Sequence, residues 1–244
     1  MRSIMGADQH IDWTRAAASA LDWWREAGVD TLVEEAPRAW LAEAAPSRTP
    51  AAAAEMVPAI PSLPATLVEF EVWRISAAAP DASWSTPIAP SGAAASGLMV
   101  LLDMPEREDA AAGQLLSGEA GRLFDRMLAA IGRDRQSVYL ASLAVARPVT
   151  GRIASEDAGA LADLARHHVA LVRPKRLLVM GDAANRALLG TNAAMSGPKL
   201  HVVKHDFGQT EAVATFHPRF LLDNPARKAR AWRDLQMLIG GIEA

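Results

Sequence analysis

Three short runs fix what this chain can become. Leu98-Met99-Val100-Leu101-Leu102, Val138-Tyr139-Leu140-Ala141-Ser142-Leu143 and Arg176-Leu177-Leu178-Val179-Met180 are apolar almost throughout. A strand with that pattern is covered on both faces, as in a parallel sheet lying between helical layers. Helical patterns lie between and after the runs. Residues 119–131 place Leu123, Phe124, Met127, Leu128 and Ile131 on one face. Residues 155–172 begin at Ser155 with acids in the first turn, and Gly181-Asp182 opens a helix that Gly190 closes. Leu200 to Lys204 and Glu211 to Phe216 read as a strand pair around Phe207-Gly208-Gln209, and a last helix covers about 226–240. Strands alternating with helices predict an α/β fold, a three-layer sandwich with a central, mainly parallel sheet. Ligands of such sheets bind beyond the carboxyl ends of the strands. Asp103, Ser142 and His217 fall there.

The upstream chain reads differently. Residues 1–45 form a helical extension: 10–27 carries Trp13, Ala17, Leu21 and Trp24 on one stripe, and a second short helix runs from Val29 to about Leu41. The tryptophans are read as packing surface. Eight acids against four arginines make this extension acidic, whereas the whole chain carries −3. Residues 46–66, rich in Ala and Pro, are a linker. The third segment, 67–244, holds the α/β domain. Within it, Leu67 to Ile75 fits either a strand or a helical turn, and 77–97 reads as loop.

Composition excludes several chemistries. There is no cysteine among the 244 residues. Disulfides, thiolate-held zinc, cysteine nucleophiles and cysteine-held iron–sulfur clusters are therefore ruled out. No apolar run reaches the roughly 18 residues of a membrane span. No secretion signal is visible, so the expectation is a cytoplasmic protein. His201 and His205, spaced i and i+4, are read as exposed strand histidines rather than metal ligands. His167-His168 is placed at a helix surface, and Gly181-Asp182 is read as a helix cap rather than a phosphate loop.

The stretch richest in chemistry is Thr215-Phe216-His217-Pro218-Arg219-Phe220-Leu221-Leu222-Asp223-Asn224-Pro225. A β-prone run delivers a histidine into a rigid loop with a bulky apolar tip, and a basic helix follows. That arrangement suits work on a base or a sugar; a histidine that only caps the strand end is the alternative.

From Leu98 onward the chain resembles the family 4 uracil-DNA glycosylases, within the uracil-DNA glycosylase superfamily. Gly113-Gln114-Leu115-Leu116-Ser117-Gly118-Glu119-Ala120-Gly121 is similar to the family's helix entry, and Val138 through Arg147-Pro148 to its second strand and turn. Leu171 to Lys175, Met180-Gly181 and Ala187 to Gly190 resemble its third strand and following helix. Thr215 to Pro225 with Trp232 to Gln236 is similar to its terminal motif. The departures are equally specific. Leu102-Asp103-Met104-Pro105-Glu106 stands where the family has Gly-Glu-Ala-Pro-Gly. Leu116 takes the place of the stacking phenylalanine, Ser142 that of the base-reading asparagine, and Val145 that of a lysine. Ala146 and Leu161 stand where two ligands of the family's [4Fe–4S] cluster would be.

The resemblance implies an N-glycosidic bond hydrolase acting on uracil or another deaminated base in DNA; with no cysteine to hold the family's cluster, no metal or other cofactor is expected. Asp103 and His217 would be catalytic, with Met104, Leu116 and Ser142 forming the base pocket. Arg219, Phe220, Leu221, Arg227 and Lys228 would meet DNA, with Phe220 or Leu221 as an apolar wedge. Single-stranded and damaged DNA are both open as substrates. The alternative is a catalytically silent relative that binds DNA or a repair partner, with the N-terminal helices as the protein-binding surface.

Overall fold

The computed structural model describes residues 63–190, 193–195 and 197–240, together with Thr14, 17–19, Asp22 and Trp23. The chain divides into two units, Met1–Pro58 and Ala59–Ala244. In the first, the described positions are helical and exposed, Trp23 among them. The remainder of the expected 10–27 helix, the second short helix and most of the linker lie outside the described residues.

In the second unit, helix α1 (Leu67–Arg74) precedes strands β1 (Ser91–Gly92) and β2 (Leu98–Leu102). Helices α2 (Asp109–Ala112) and α3 (Glu119–Ala130) lead to β3 (Tyr139–Ser142); α4 (Ser155–Val172) then leads to β4 (Arg176–Met180). Helix α5 (Asp182–Leu189), the hairpin β5 (Leu200–His205) and β6 (Gly208–Thr215), and helices α6 (Pro218–Asp223) and α7 (Lys228–Ile239) complete it. The sheet order is β1-β3-β2-β4-β6-β5. Neighbours in β3-β2-β4-β6 are parallel, and β1 and β5 are antiparallel edges. Among the described residues no helix is long and apolar enough to cross a membrane.

The continuous apolar runs are buried for the expected reason. Leu98, Val100, Leu102, Leu140, Leu178 and Met180 face a core completed by Phe124 and Leu128 of α3 and by Leu235 and Leu238 of α7. Their sequence neighbours Met99, Leu101, Tyr139, Leu177 and Val179 face the opposite layer, with Phe70 of α1, Leu161 and Val169 of α4 and Leu188 of α5. Period-two alternation thus feeds two helical layers at once.

Several segments resolve or revise the sequence expectation. Leu67–Arg74 is helix, fixed by Thr66, whose hydroxyl accepts the Glu69 N–H. The 77–97 segment is mostly loop but lends β1 to the sheet edge. The loop expected after His217 is the helix α6, because Pro218 at its first position needs no N–H partner there and His217 caps it. His168 is buried rather than on the surface. Its Nε2 lies 2.8 Å from the Tyr139 hydroxyl, which donates to Glu71 Oε1 at 2.5 Å. Burial holds the His168 pKa down at about 3, so the ring is neutral.

The turn beyond β3 is held by a buried ion pair, Arg74 with Asp81. Arg74 also donates to Leu143 O (2.8 Å), and Asp81 accepts the Val145 N–H (2.7 Å). The pair therefore joins residues 74–81 to residues 143–145. Asp81→Ala would leave Arg74 charged and uncompensated, at a cost of about 3–5 kcal/mol in urea unfolding. The double variant Arg74→Met/Asp81→Leu is expected to recover only part of that loss, because it removes the uncompensated charge but leaves Leu143 O and the Val145 N–H without partners.

Candidate active site

Register brings the candidate residues to one edge. Leu102 pairs with Met180, and Met180 with Thr215. Their successors Asp103, Gly181 and Phe216 therefore emerge together at the carboxyl end of the sheet, with His217 next. The main chain of Asp103 is pinned by the Ala144 N–H, which donates to its carbonyl at 3.0 Å.

The Asp103 carboxylate lies against the start of α5. Its Oδ1 accepts the Ala184 N–H at 2.7 Å, a placement the helix dipole favours. Gly181 is required by this contact. A Cβ there would lie 2.3 Å from Asp103 Oδ2, and φ is +109°. The buried side chain of Asn185 keeps that backbone in place by donating to Gly181 O at 2.5 Å. Burial raises the Asp103 pKa to about 6, with the Ala184 N–H opposing and the charge of Asp182 adding to the rise.

His217 serves as the N-cap of α6. Its Nδ1 accepts the Arg219 N–H at 3.2 Å, so the neutral ring carries its proton on Nε2. Desolvation, reinforced by Arg219, lowers its pKa to about 3. One contact pulls the other way: Glu106 Oε1 stands 3.6 Å from the same Nδ1 and would favour a proton there. That carboxylate is already engaged, because Arg219 donates to both its oxygens at 2.9 and 2.7 Å. The shorter contacts decide, and Nδ1 stays an acceptor. Burial raises the pKa of Glu106 itself, and Arg219 opposes the rise.

The segment linking Asp103 to α3 is organised by Asp109, fully buried. Its carboxylate accepts the N–H groups of Glu106, Leu116 and Ser117, each at 2.8 Å, and the Ser117 hydroxyl at 2.7 Å. This cradle fixes Leu116 at φ +55°. Arg135 adds bonds to Leu115 O and Leu116 O.

Asp103 and His217 line one cavity of about 230 Å³, with Gly181, Asp182, Phe216, Arg219 and Phe220. Met104, Leu116 and Ser142, expected as its walls, do not line it. They are 6%, 1% and 7% exposed and packed beneath; the Ser142 hydroxyl finds no partner among the described residues. Leu221, expected near DNA, is 1% exposed and part of the core. Phe220 remains the exposed apolar tip and stacks on Phe216, with centroids 5.2 Å apart. Arg219 is exposed at the cavity but paired with Glu106; Arg227 and Lys228 are exposed where α7 begins, away from the cavity lining.

Sequence reading does not single out Asp109, the contact of Gly181 with Asp103, or the partnership of Glu106 with Arg219, although Gly181 does cap its helix as expected. The one available signal was Gly181-Asp182 directly after a buried strand, which is also where a carboxylate from a neighbouring strand would arrive.

The family comparison agrees with this architecture. A profile of the uracil DNA glycosylase superfamily matches residues 89–236, and the chain belongs to that superfamily. It is similar to the type-4 uracil-DNA glycosylase of Pyrobaculum aerophilum, at 26% identity over 152 residues, covering 59% of this chain and 78% of that protein. It is also similar to the type-4 uracil-DNA glycosylase of Archaeoglobus fulgidus, at 25% identity over 130 residues, covering 50% of this chain and 65% of that protein. A cysteine-held iron–sulfur cluster does not fit these residues. The chain has no thiol, and Ala146 and Leu161 are packed at 0% and 1% exposure. No cluster of three or more potential metal-ligating side chains occurs among the described residues.

The raised Asp103 pKa has a stability sign. Ionising Asp103 is harder in the folded protein than in the unfolded chain, so its ionisation opposes folding. The penalty is absent below about pH 4, grows between pH 4 and 6, and is complete above; a shift of this size amounts to roughly 3 kcal/mol. Asp103→Asn keeps the acceptor for Ala184 and removes the charge. It is expected to stabilise the protein at pH 7.5 but not at pH 4, measured by denaturant unfolding at both.

Proposed function

We propose that this protein excises a deaminated base, uracil or a related one, from DNA by hydrolysing its N-glycosidic bond. The observation that carries the reading is the meeting of Asp103 and His217 in one cavity, with the two groups in complementary protonation states. As the bond breaks, the sugar gains oxocarbenium character and the base departs as an anion. The Nε2–H of neutral His217 donates to the base oxygen as charge accumulates there. Asp103, ionised above about pH 6, orients a water toward the sugar and takes its proton. Phe220, exposed at the cavity, is the apolar residue placed to enter the base stack. Arg227 and Lys228 offer charge to the backbone of the strand.

A silent relative that binds DNA or a repair partner is the second reading. The burial of Leu116 and Ser142 favours it, because neither reaches the cavity to read a base. The same burial leaves base choice to the groups that do line the cavity, so the proposal extends to hypoxanthine and xanthine.

Single- and double-stranded oligonucleotides carrying uracil, hypoxanthine or xanthine are incubated with protein in excess, and abasic sites are then cleaved with alkali. Strand breaks at the modified position are expected. Their absence with every base would leave the silent reading. Asp103→Asn and His217→Ala are each expected to slow excision by about 10²-fold or more. The rate should climb as pH rises through about 6, following the ionisation of Asp103, and stay level to pH 8. His217, already neutral, adds no limb in that range.

A further inference from the structure

Arg219, on the lining of the cavity that holds Asp103 and His217, is paired with Glu106, which lines a second cavity. The second, of about 290 Å³, is lined by Trp84, Pro105, Arg107, Arg147, Pro148 and Val149, with Glu106 at its inner wall. Glu106 binds Arg219 of the first cavity at 2.7 Å and lies 3.9 Å from Arg147 Nη1. One ion pair therefore links the linings of the two cavities, and the guanidinium groups of Arg219 and Arg147 converge on Glu106.

The second cavity is a shaped site rather than a loose fold in the surface. The Ser85 hydroxyl accepts the Arg147 N–H at 2.9 Å, joining the Trp84 segment to the Arg147 turn. Arg147 Nη1 donates to Pro105 O at 2.9 Å, fixing the guanidinium over the floor. Trp84 is half-buried, its body packed against the core layer that contains Leu161. Arg107 is exposed and has no anionic partner among the described residues. An indole held in place, a free guanidinium beside it and a second one anchored nearby are the parts of a stacking platform for a base with its phosphate.

We propose that this cavity is a subsite for the nucleotide adjoining the target base on a single strand. Trp84 stacks on that neighbour's base, and Arg107 and Arg147 take its phosphate. The inference rests on reading the first cavity as the seat of the excised base, and it adds a substrate class. A neighbour stacked on Trp84 is unpaired, so the strand that fits both cavities is single-stranded.

The test separates binding from excision. Fluorescence polarisation measures binding of a labelled single-stranded oligonucleotide with one uracil, and of the same oligonucleotide with a tetrahydrofuran in place of the nucleotide on either side. Wild type is compared with Trp84→Ala, Trp84→Phe and Arg107→Ala, each checked for native folding by circular dichroism. Trp84→Ala is expected to weaken binding about ten-fold, and Trp84→Phe to restore most of it. Arg107→Ala should weaken binding and flatten its dependence on log salt by about 0.7. Removing the neighbouring base on one side should cost wild type what Trp84→Ala costs, and cost Trp84→Ala itself nothing further. Equal binding by wild type and Trp84→Ala, or no binding by wild type, overturns the subsite. So does the same penalty for the missing base in both proteins. Trp84-dependent binding without abasic product would remove the excision reading and keep the subsite. Product formed at wild-type rate by Trp84→Ala and Arg107→Ala, at substrate well below saturation, would do the reverse.

Discussion

Strand β2 is hydrogen-bonded along both edges and packed on both faces, and the remaining structure is arranged around that constraint. Its five residues are apolar because no position along it meets water. Its parallel register with β3 and β4 then determines where the chain leaves the sheet. Asp103 is the first residue released, directly opposite Gly181. A carboxylate leaving a fully covered strand enters a space with little solvent, and its proton affinity rises for that reason. The raised proton affinity of Asp103 thus has its cause in the covered sheet end where the strand releases it.

The electrostatics around His217 show how short contacts outweigh more distant charge. A carboxylate near an imidazole usually raises its basicity, yet here the nearest carboxylate is bound through both oxygens by Arg219. The main chain of the same Arg219 occupies the imidazole's lone pair. One residue therefore neutralises the anion and selects the tautomer. The ring is left with one N–H, so in the proposed reaction proton acceptance falls to Asp103.

Much of the fold was legible because burial on two faces leaves an unambiguous mark. The runs at 98–102 and 176–180 coincide with β2 and β4, and residues 155–172 with α4. What was not legible depends on partners distant in sequence. Glu106 and Arg219 are 113 residues apart, and neither local pattern announces the other. Helix α6 was hidden because His-Pro reads as a turn, although a capping side chain followed by proline also begins a helix. His168 reads as surface from its polarity alone, since Tyr139, to which it bonds, reaches it only in the folded chain. At the site, position alone could place Asp103 and His217 at one edge. It could not tell that Leu116 and Ser142, equally near that edge, turn into the core, since a side chain's direction is settled by packing such as the Asp109 cradle.

Where the family resemblance would put a cluster-ligated staple, Leu161 and Ala146 sit in close packing, and the Arg74–Asp81 pair ties the neighbouring turn. The substitution changes what the fold is sensitive to. Iron–sulfur bonds break under peroxide and surrender metal to chelators, and a fold that relies on them depends on iron supply and on cellular redox state. An ion pair sealed among apolar side chains depends on neither. In a chain fastened in this way, chelators and peroxide find no thiolate-held iron to remove, and its fold draws no stability from that metal.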